Sequence, residues 1–155
     1  MSQLSAFDFL VGNWSVHHRY LVRRLAGCAD WIEFGGNSAM RKILNGFGNL
    51  DEGEIRLPAG AYVGVSLRTF DPATENWSIY WLDSRHPERI DPPVVGRFES
   101  SLGTFVGDDV FESRPIRMRF LWSRIGTGSP RWEQAFSGDG GSTWETNWIM
   151  DFTRA

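Results

Sequence analysis

The chain has 155 residues, 41% of them hydrophobic, enough for one well-filled core and too few for two, so a single domain over 1–155 is expected. The formal net charge is −3 and fifteen arginines are scattered along the chain, which leaves no basic stripe and excludes nucleic acid as a partner. No window approaches the roughly 18 apolar residues of a membrane span, so no membrane partner is expected either.

The opening residues carry no basic stretch, long apolar core or small-residue cleavage site, so they do not read as a secretory signal. Ser5 to Val11 has Phe7, Leu10 and Val11 at helical spacing behind a capping Ser5. One or two helical turns closed by Gly12 are expected. From Trp14 the period changes to two: Trp14, Val16, His18, Tyr20 and Val22 alternate with the residues between them, which predicts a long strand. In the connection Ala26 to Asp30 sits Cys28, a lone thiol that fits a reducing cytoplasm.

Trp31 to Ile43 reads as a second strand, bent or bulged at Gly35-Gly36, and Phe47 to Glu54 as a short third. Tyr62 to Phe70 and Trp77 to Ser84 flank Asp71-Pro72-Ala73-Thr74, where Pro72 suits a type I turn. Arg85 to Pro93 holds three prolines and no periodicity, which predicts a surface loop long enough to act as a lid. Val94 to Ser100, Thr104 to Glu112 and Ile116 to Ile125 follow as strands; in the last, Ile116, Met118, Phe120 and Trp122 share a face.

Pro130 to Ala155 reads as a hairpin with its tip at Gly138-Asp139-Gly140-Gly141. A register with Phe136 opposite Trp144, Gln134 opposite Thr146 and Trp132 opposite Trp148 gathers the aromatics on one face and sends Arg131, Glu133, Glu145, Asn147 and Asp151 to the other. Eight tryptophans and eleven phenylalanines favour strands around a broad interior. About ten short strands with tight links predict an all-β fold: a closed antiparallel up-and-down barrel of about 8–10 strands with a short N-terminal helix.

Gly12-Asn13-Trp14, a Gly-x-Trp opening the first strand behind a short helix, resembles the signature of the calycins, the superfamily of lipocalins and fatty-acid-binding proteins. The resemblance implies that Trp14 closes the barrel floor and that an arginine near the chain's end, here Arg154, packs over it. The whole chain, most visibly Trp132 to Ser137 and Thr153-Arg154, is similar to an uncharacterised group of bacterial calycin-like proteins without established activity. The Thr-Asp-Tyr motif of the lipocalin branch is absent. Ser137, Asp139, Gly141, Thr143 and Trp144 resemble one Asp-box of the sialidase propellers, read here as turn chemistry, with Asp139 accepting backbone N–H bonds and Trp144 packed over the hairpin.

His17 and His18 are adjacent in a strand and point to opposite faces, so they cannot share a metal by themselves. Parity with Trp14 turns His18 inward. Nitrobindins, which this chain resembles as a small calycin barrel, hold haem through a histidine on a late strand; no histidine follows His86 here, so the haem-binding alternative that the resemblance implies would have to recruit His18 or His86 from a different position. Asp83 shares parity with Trp77, Ile79 and Trp81. A register pairing Phe70 with Trp77 puts Gly64 opposite Asp83 and leaves Arg68 as its buried counter-ion; the competing register sends Arg68 to solvent and Val63, Val65 and Leu67 inward.

No nucleophile elbow, phosphate loop, dinucleotide fingerprint or metal-ligand cluster is found, so no cofactor is expected. The leading expectation is a binding protein for one small apolar or aromatic molecule. Its interior would be lined by Trp14, Trp81, Phe120, Trp122, Trp132 and Trp148 with polar points at His18, Tyr20, Arg68 and Asp83. Two other readings stand beside it: an isomerase- or hydratase-type enzyme using His18 with Asp83 or Arg68, and a filled barrel acting through its surface, for instance as a homodimer.

Overall fold

The computed structural model describes residues 2–155, and in it the chain forms ten antiparallel strands closed into one barrel. These are β1 (Gly12–Leu21), β2 (Trp31–Ile43), β3 (Gly48–Ile55), β4 (Tyr62–Asp71), β5 (Asn76–Asp83), β6 (Val94–Glu99), β7 (Leu102–Phe111), β8 (Arg114–Ser123), β9 (Arg131–Ser137) and β10 (Glu145–Arg154). Each strand pairs with its sequence neighbours, and β1 pairs with β10 to close the ring, so no edge is left unpaired. The expected up-and-down barrel is the observed one.

Alternation decides which residues enter. On β8 Ile116, Met118, Phe120 and Trp122 are buried, and on β1 Trp14, Val16 and His18 are, while His17 faces out to Glu33. The β4–β5 register is the one that pairs Phe70 with Trp77 and Gly64 with Asp83, so Arg68 lies inside, 2% exposed. The intervening turn is short and rigid: Asp71 accepts from the Ala73 amide and the Thr74 hydroxyl, which fixes the pairing on either side.

The N-terminal segment plugs one end of the barrel. The one or two helical turns expected here are two single 3-10 turns, Gln3–Ser5 and Asp8–Leu10, the first capped by Ser2 rather than Ser5. Phe7, 1% exposed, meets Trp77, Phe98, Phe105 and Trp122 edge-on or stacked. Trp14 donates its indole N–H to Leu10 O at 2.8 Å, and the Arg154 guanidinium lies 3.8 Å from the Trp14 ring centroid. Arg154 packs over the floor as the resemblance implied: it is the direct cross-strand partner of Trp14, so the two side chains share one face of the sheet, with Arg154 exposed at the end of the barrel.

Two local expectations are corrected. β2 runs through Gly35-Gly36 without bulge or break. Gly36 is there for space: a Cβ at this position would lie 2.9 Å from His18 Nε2 and closer still to the Glu54 carbonyl. In the C-terminal hairpin Phe136 pairs with Glu145, not Trp144, and a bulge between Thr146 and Trp148 brings Trp148 opposite Gln134 and Met150 opposite Trp132. The loop Gly138 to Trp144 is longer than a tight turn because Asp139 organises it, accepting from the Ser137 hydroxyl, the Thr143 amide and the Thr143 hydroxyl. Across the bulge parity changes. Trp144 sits outside beneath Arg119, 4.6 Å from its ring, whereas Trp148 turns inward. Asn147, assigned by alternation to the outer polar face, is fully buried and accepts from Gln134 at 2.9 Å.

Candidate functional site

Above the plugged floor the interior holds two adjoining spaces. The inner chamber, about 40 Å³, is lined by His18, Ser38, Asp51, Ser66, Arg68, Trp81, Phe120, Trp122, Trp132 and Phe152 among others. The outer basin, about 350 Å³, opens at the opposite end and is lined by Tyr20, Arg24, Tyr62, Trp81, Asp83, Arg85, Phe120, Trp132, Phe136 and Trp148, with Arg89, Asp91 and Pro92 from the β5–β6 loop. Trp81, Phe120 and Trp132 belong to both and form the partition. The proline-rich loop expected as a lid is part of the basin wall.

The aromatic walls are packed against one another. Trp148 meets Trp132 edge-on at 5.2 Å, Trp81 at 5.8 Å and Tyr20 at 5.5 Å between ring centroids. The converging residues come from β1, β5, β9 and β10, which the ring order places on both sides of the lumen. Gly64 lies directly under the Trp81 ring and leaves no room for a Cβ.

His18 is 1% exposed, stacked on Phe34 at 4.8 Å, and its Nδ1 accepts the Trp148 indole N–H at 3.0 Å. An acceptor Nδ1 carries no proton, so the neutral ring holds its hydrogen on Nε2, which meets no protein partner. Burial, reinforced by the neighbouring His17, pushes the His18 pKa down to about 4. With one nitrogen occupied by a donor and the other protonated, His18 offers no lone pair to a metal or a substrate proton. That removes the support for a haem ligand at this position and for His18 as a general base.

Arg68 and Asp83 do not meet. They lie four residues apart along the β4–β5 ladder, about 13 Å at strand rise. Arg68 bonds Asp51 at 2.6 Å and Asn49 at 2.9 Å, both from the adjoining β3, where Asn49 is its direct cross-strand partner. Asp83 is held instead by Arg85, through two nitrogens at 3.0 and 2.9 Å and one backbone amide, and by the Trp81 indole at 3.2 Å. These bonds, the Arg85 side chain foremost, hold the Asp83 carboxyl down to about 2. The acid–base triad of His18, Arg68 and Asp83 is therefore divided between two spaces, His18 and Arg68 inside and Asp83 at the mouth.

Of the residues expected to line the interior, His18, Arg68 and Trp122 face the inner chamber, Tyr20, Asp83 and Trp148 the outer basin, and Trp81, Phe120 and Trp132 both. Trp14 lines neither. It belongs to the floor, separated from the chamber by Phe152, whose ring meets it edge-on at 6.0 Å. Sequence reasoning missed Asp51, Arg24, Tyr62 and Arg85. Asp51 was legible in principle, because it shares parity with Asn49 on a strand whose register sets Asn49 against Arg68. Arg24 was not, since it lies beyond the period-two run of β1. Tyr62 is buried at the basin wall, and desolvation pushes its phenol up to about 12.

Among the described residues no group of three or more histidine, cysteine or carboxylate side chains is placed to hold a metal ion. No helix among the described residues is long and apolar enough to cross a membrane. No family model matches the chain, and no curated protein matches it.

Proposed function

We propose that this protein is a calycin-like barrel that binds one small apolar or aromatic molecule in the outer basin, against Trp81, Trp132 and Trp148. The observation that carries the reading is a concave space of about 350 Å³ in which the rings of Trp81, Trp132 and Trp148 share the lining with six charged side chains, Arg24, Asp83, Arg85, Arg89, Asp91 and Asp109. That volume falls at the lower end of the roughly 300–1,000 Å³ typical of small-molecule sites. The inner chamber is too small for such a ligand. At roughly 10–15 Å³ per water it takes about three waters, or the tip of a molecule seated above it. The floor supports the same reading, because the N-terminal plug and the Trp14–Arg154 stack close one end and leave the other as the entrance. The lone thiol of Cys28 favours a cytoplasmic setting.

Native mass spectrometry of protein purified from its own host, together with titration of the neutral fluorophore N-phenylnaphthylamine, tests the proposal. A co-purifying small molecule or one-to-one fluorophore binding, weakened by Trp132→Ala, is expected. Repeated absence of both sinks it.

A further inference from the structure

The inner chamber has a polar side that the fold itself does not complete. Its wall on β2, β3 and β4 presents Ser38, Asp51, Ser66 and Arg68 to the rings of Trp81, Phe120 and Trp132. On β4 Ser66 pairs directly with Asp51; on β2 the partner of Asp51 is Met40, so Ser38, two residues earlier, shares the same inward face. Each strand beside the carboxylate thus contributes one hydroxyl. Ser38 is 8% exposed, and among the described residues neither its hydroxyl nor that of Ser66 has a protein partner. Asp51 gives Oδ2 to Arg68, which leaves Oδ1 free to accept. Asn37 and His18 also line the chamber, and each already accepts a donor from the chain, the Glu54 amide and the Trp148 indole. Buried polar groups are ordinarily paired, so an acceptor set between two unpartnered hydroxyls marks a place that a polar group of another molecule completes.

Charge decides which group that is. Among the described residues Arg68 and Asp51 alone bring charge to the chamber; at 2.6 Å they cancel, and His18 is neutral in the fold. An entering carboxylate would meet the free oxygen of Asp51 and a cation already paired, in a space of about 40 Å³ with little room for screening water. A single hydroxyl answers the remaining roles: its hydrogen goes to Asp51 Oδ1, and its oxygen accepts from Ser38 or Ser66. Trp81, Phe120 and Trp132 line both spaces, so a group seated in the chamber has its body against the rings that wall the basin.

We infer that the inner chamber is the head-group subsite of this barrel and selects a neutral hydroxyl borne on an aromatic ring, a phenol, in preference to an acid. This rests on the basin being the binding site and adds the chemical class and orientation of what enters: hydroxyl inward against Asp51, Ser38 and Ser66, ring outward between Trp81 and Trp132. A phenol is favoured over an alkyl alcohol because its more acidic hydroxyl is the stronger donor to a carboxylate, and its flat ring matches the indole walls.

Three probes that share one ring system separate the claims: 2-naphthol, neutral at pH 7; 2-methylnaphthalene, of the same shape without the hydroxyl; and 2-naphthoate, an anion. Isothermal titration of each is carried out on the wild type, Ser38→Ala and Asp51→Asn. Wild type is expected to bind naphthol about tenfold or more tightly than naphthoate. Ser38→Ala weakens naphthol about threefold to tenfold, the scale of one neutral hydrogen bond, and leaves methylnaphthalene within about twofold, which reports an intact basin. Asp51→Asn leaves Arg68 without its counter-charge, so naphthoate gains about tenfold on naphthol. Ser38→Ala, which breaks no ion pair, decides the matter if Asp51→Asn does not fold. A wild type that prefers naphthoate, a naphthol affinity indifferent to Ser38, equal losses of naphthol and methylnaphthalene in Ser38→Ala, or a folded Asp51→Asn that still rejects naphthoate overturns the inference while leaving the basin as a binding site. Failure of all three probes to bind the wild type removes the site itself.

Discussion

The Trp148 indole donates its N–H to Nδ1 of His18 across 3.0 Å, joining β10 to β1 inside the barrel and fixing which nitrogen of a buried imidazole carries the proton. Because the His18 pKa falls from 6.5 to about 4, the unfolded chain takes up a proton in this interval that the folded chain refuses. The stability associated with His18 is therefore fully present above about pH 6.5 and is lost as pH falls toward 4, at most about 3 kcal/mol for a shift of this size. Urea denaturation at pH 7 and pH 4.5 is expected to show that loss in the wild type and a flatter profile in His18→Phe. A wild-type profile without the slope would mean that the ring is already charged in the fold.

Arg68 and Asp51 make the second buried contact with a measurable consequence. Their side chains are 3% and 15% exposed, and removal of one partner strands the other. Asp51→Ala is expected to destabilise the barrel by about 3–5 kcal/mol, whereas Asp51→Leu combined with Arg68→Met recovers much of that cost. Asp83→Ala, whose partner Arg85 is 47% exposed, is expected to cost about 1 kcal/mol or less by the same denaturation assay. If Asp83→Ala proved the more damaging change, the assignment of Arg68 to Asp51 would be wrong.

The contrast between these pairs shows what the amino-acid pattern could and could not reveal. Alternation on β1 and β8 specified the faces, and the tight turn at Asp71 to Thr74 offered the β4–β5 register that is observed, but the pattern of β4 left open the competing register that sends Arg68 to solvent. The partner of Arg68 was not legible. Local parity offered Asp83 on the next strand of the chain, while the actual carboxylate sits on the preceding one. The C-terminal hairpin failed for a related reason: alternation is counted residue by residue, and a single bulge at Asn147 resets it. Arg24 is the extreme case, because its surroundings come from Tyr20 and Phe136, the latter more than a hundred residues away in sequence.

The glycine pair in β2 yields a sharp comparison. A methyl group at Gly36 would press on the Glu54 carbonyl and on His18 Nε2, 2.9 Å away, while one at Gly35 would meet only the flexible end of Arg56 at 3.6 Å. Gly36→Ala is expected to cost about 1–3 kcal/mol through overpacking, and Gly35→Ala to be nearly neutral. Comparable thermal midpoints for the two variants would return the pair to the role of a backbone bend that the sequence suggested.

The floor should be separable from the site. Arg154 lies over Trp14 and donates to Val11 O at 2.6 Å and Phe9 O at 3.2 Å, so one side chain ties the last strand to the N-terminal plug. Replacement by lysine keeps the charge but loses the fork that reaches two carbonyls at once; the expected cost is about 1–2 kcal/mol, combining a weakened ring contact with one lost hydrogen bond. Because Arg154 and Trp14 line neither the chamber nor the basin, Arg154→Lys is expected to lower the denaturation midpoint while leaving the affinity for N-phenylnaphthylamine within about twofold. A variant that kept its stability but lost the fluorophore would place the entrance at this end of the barrel and reverse the orientation argued for the ligand.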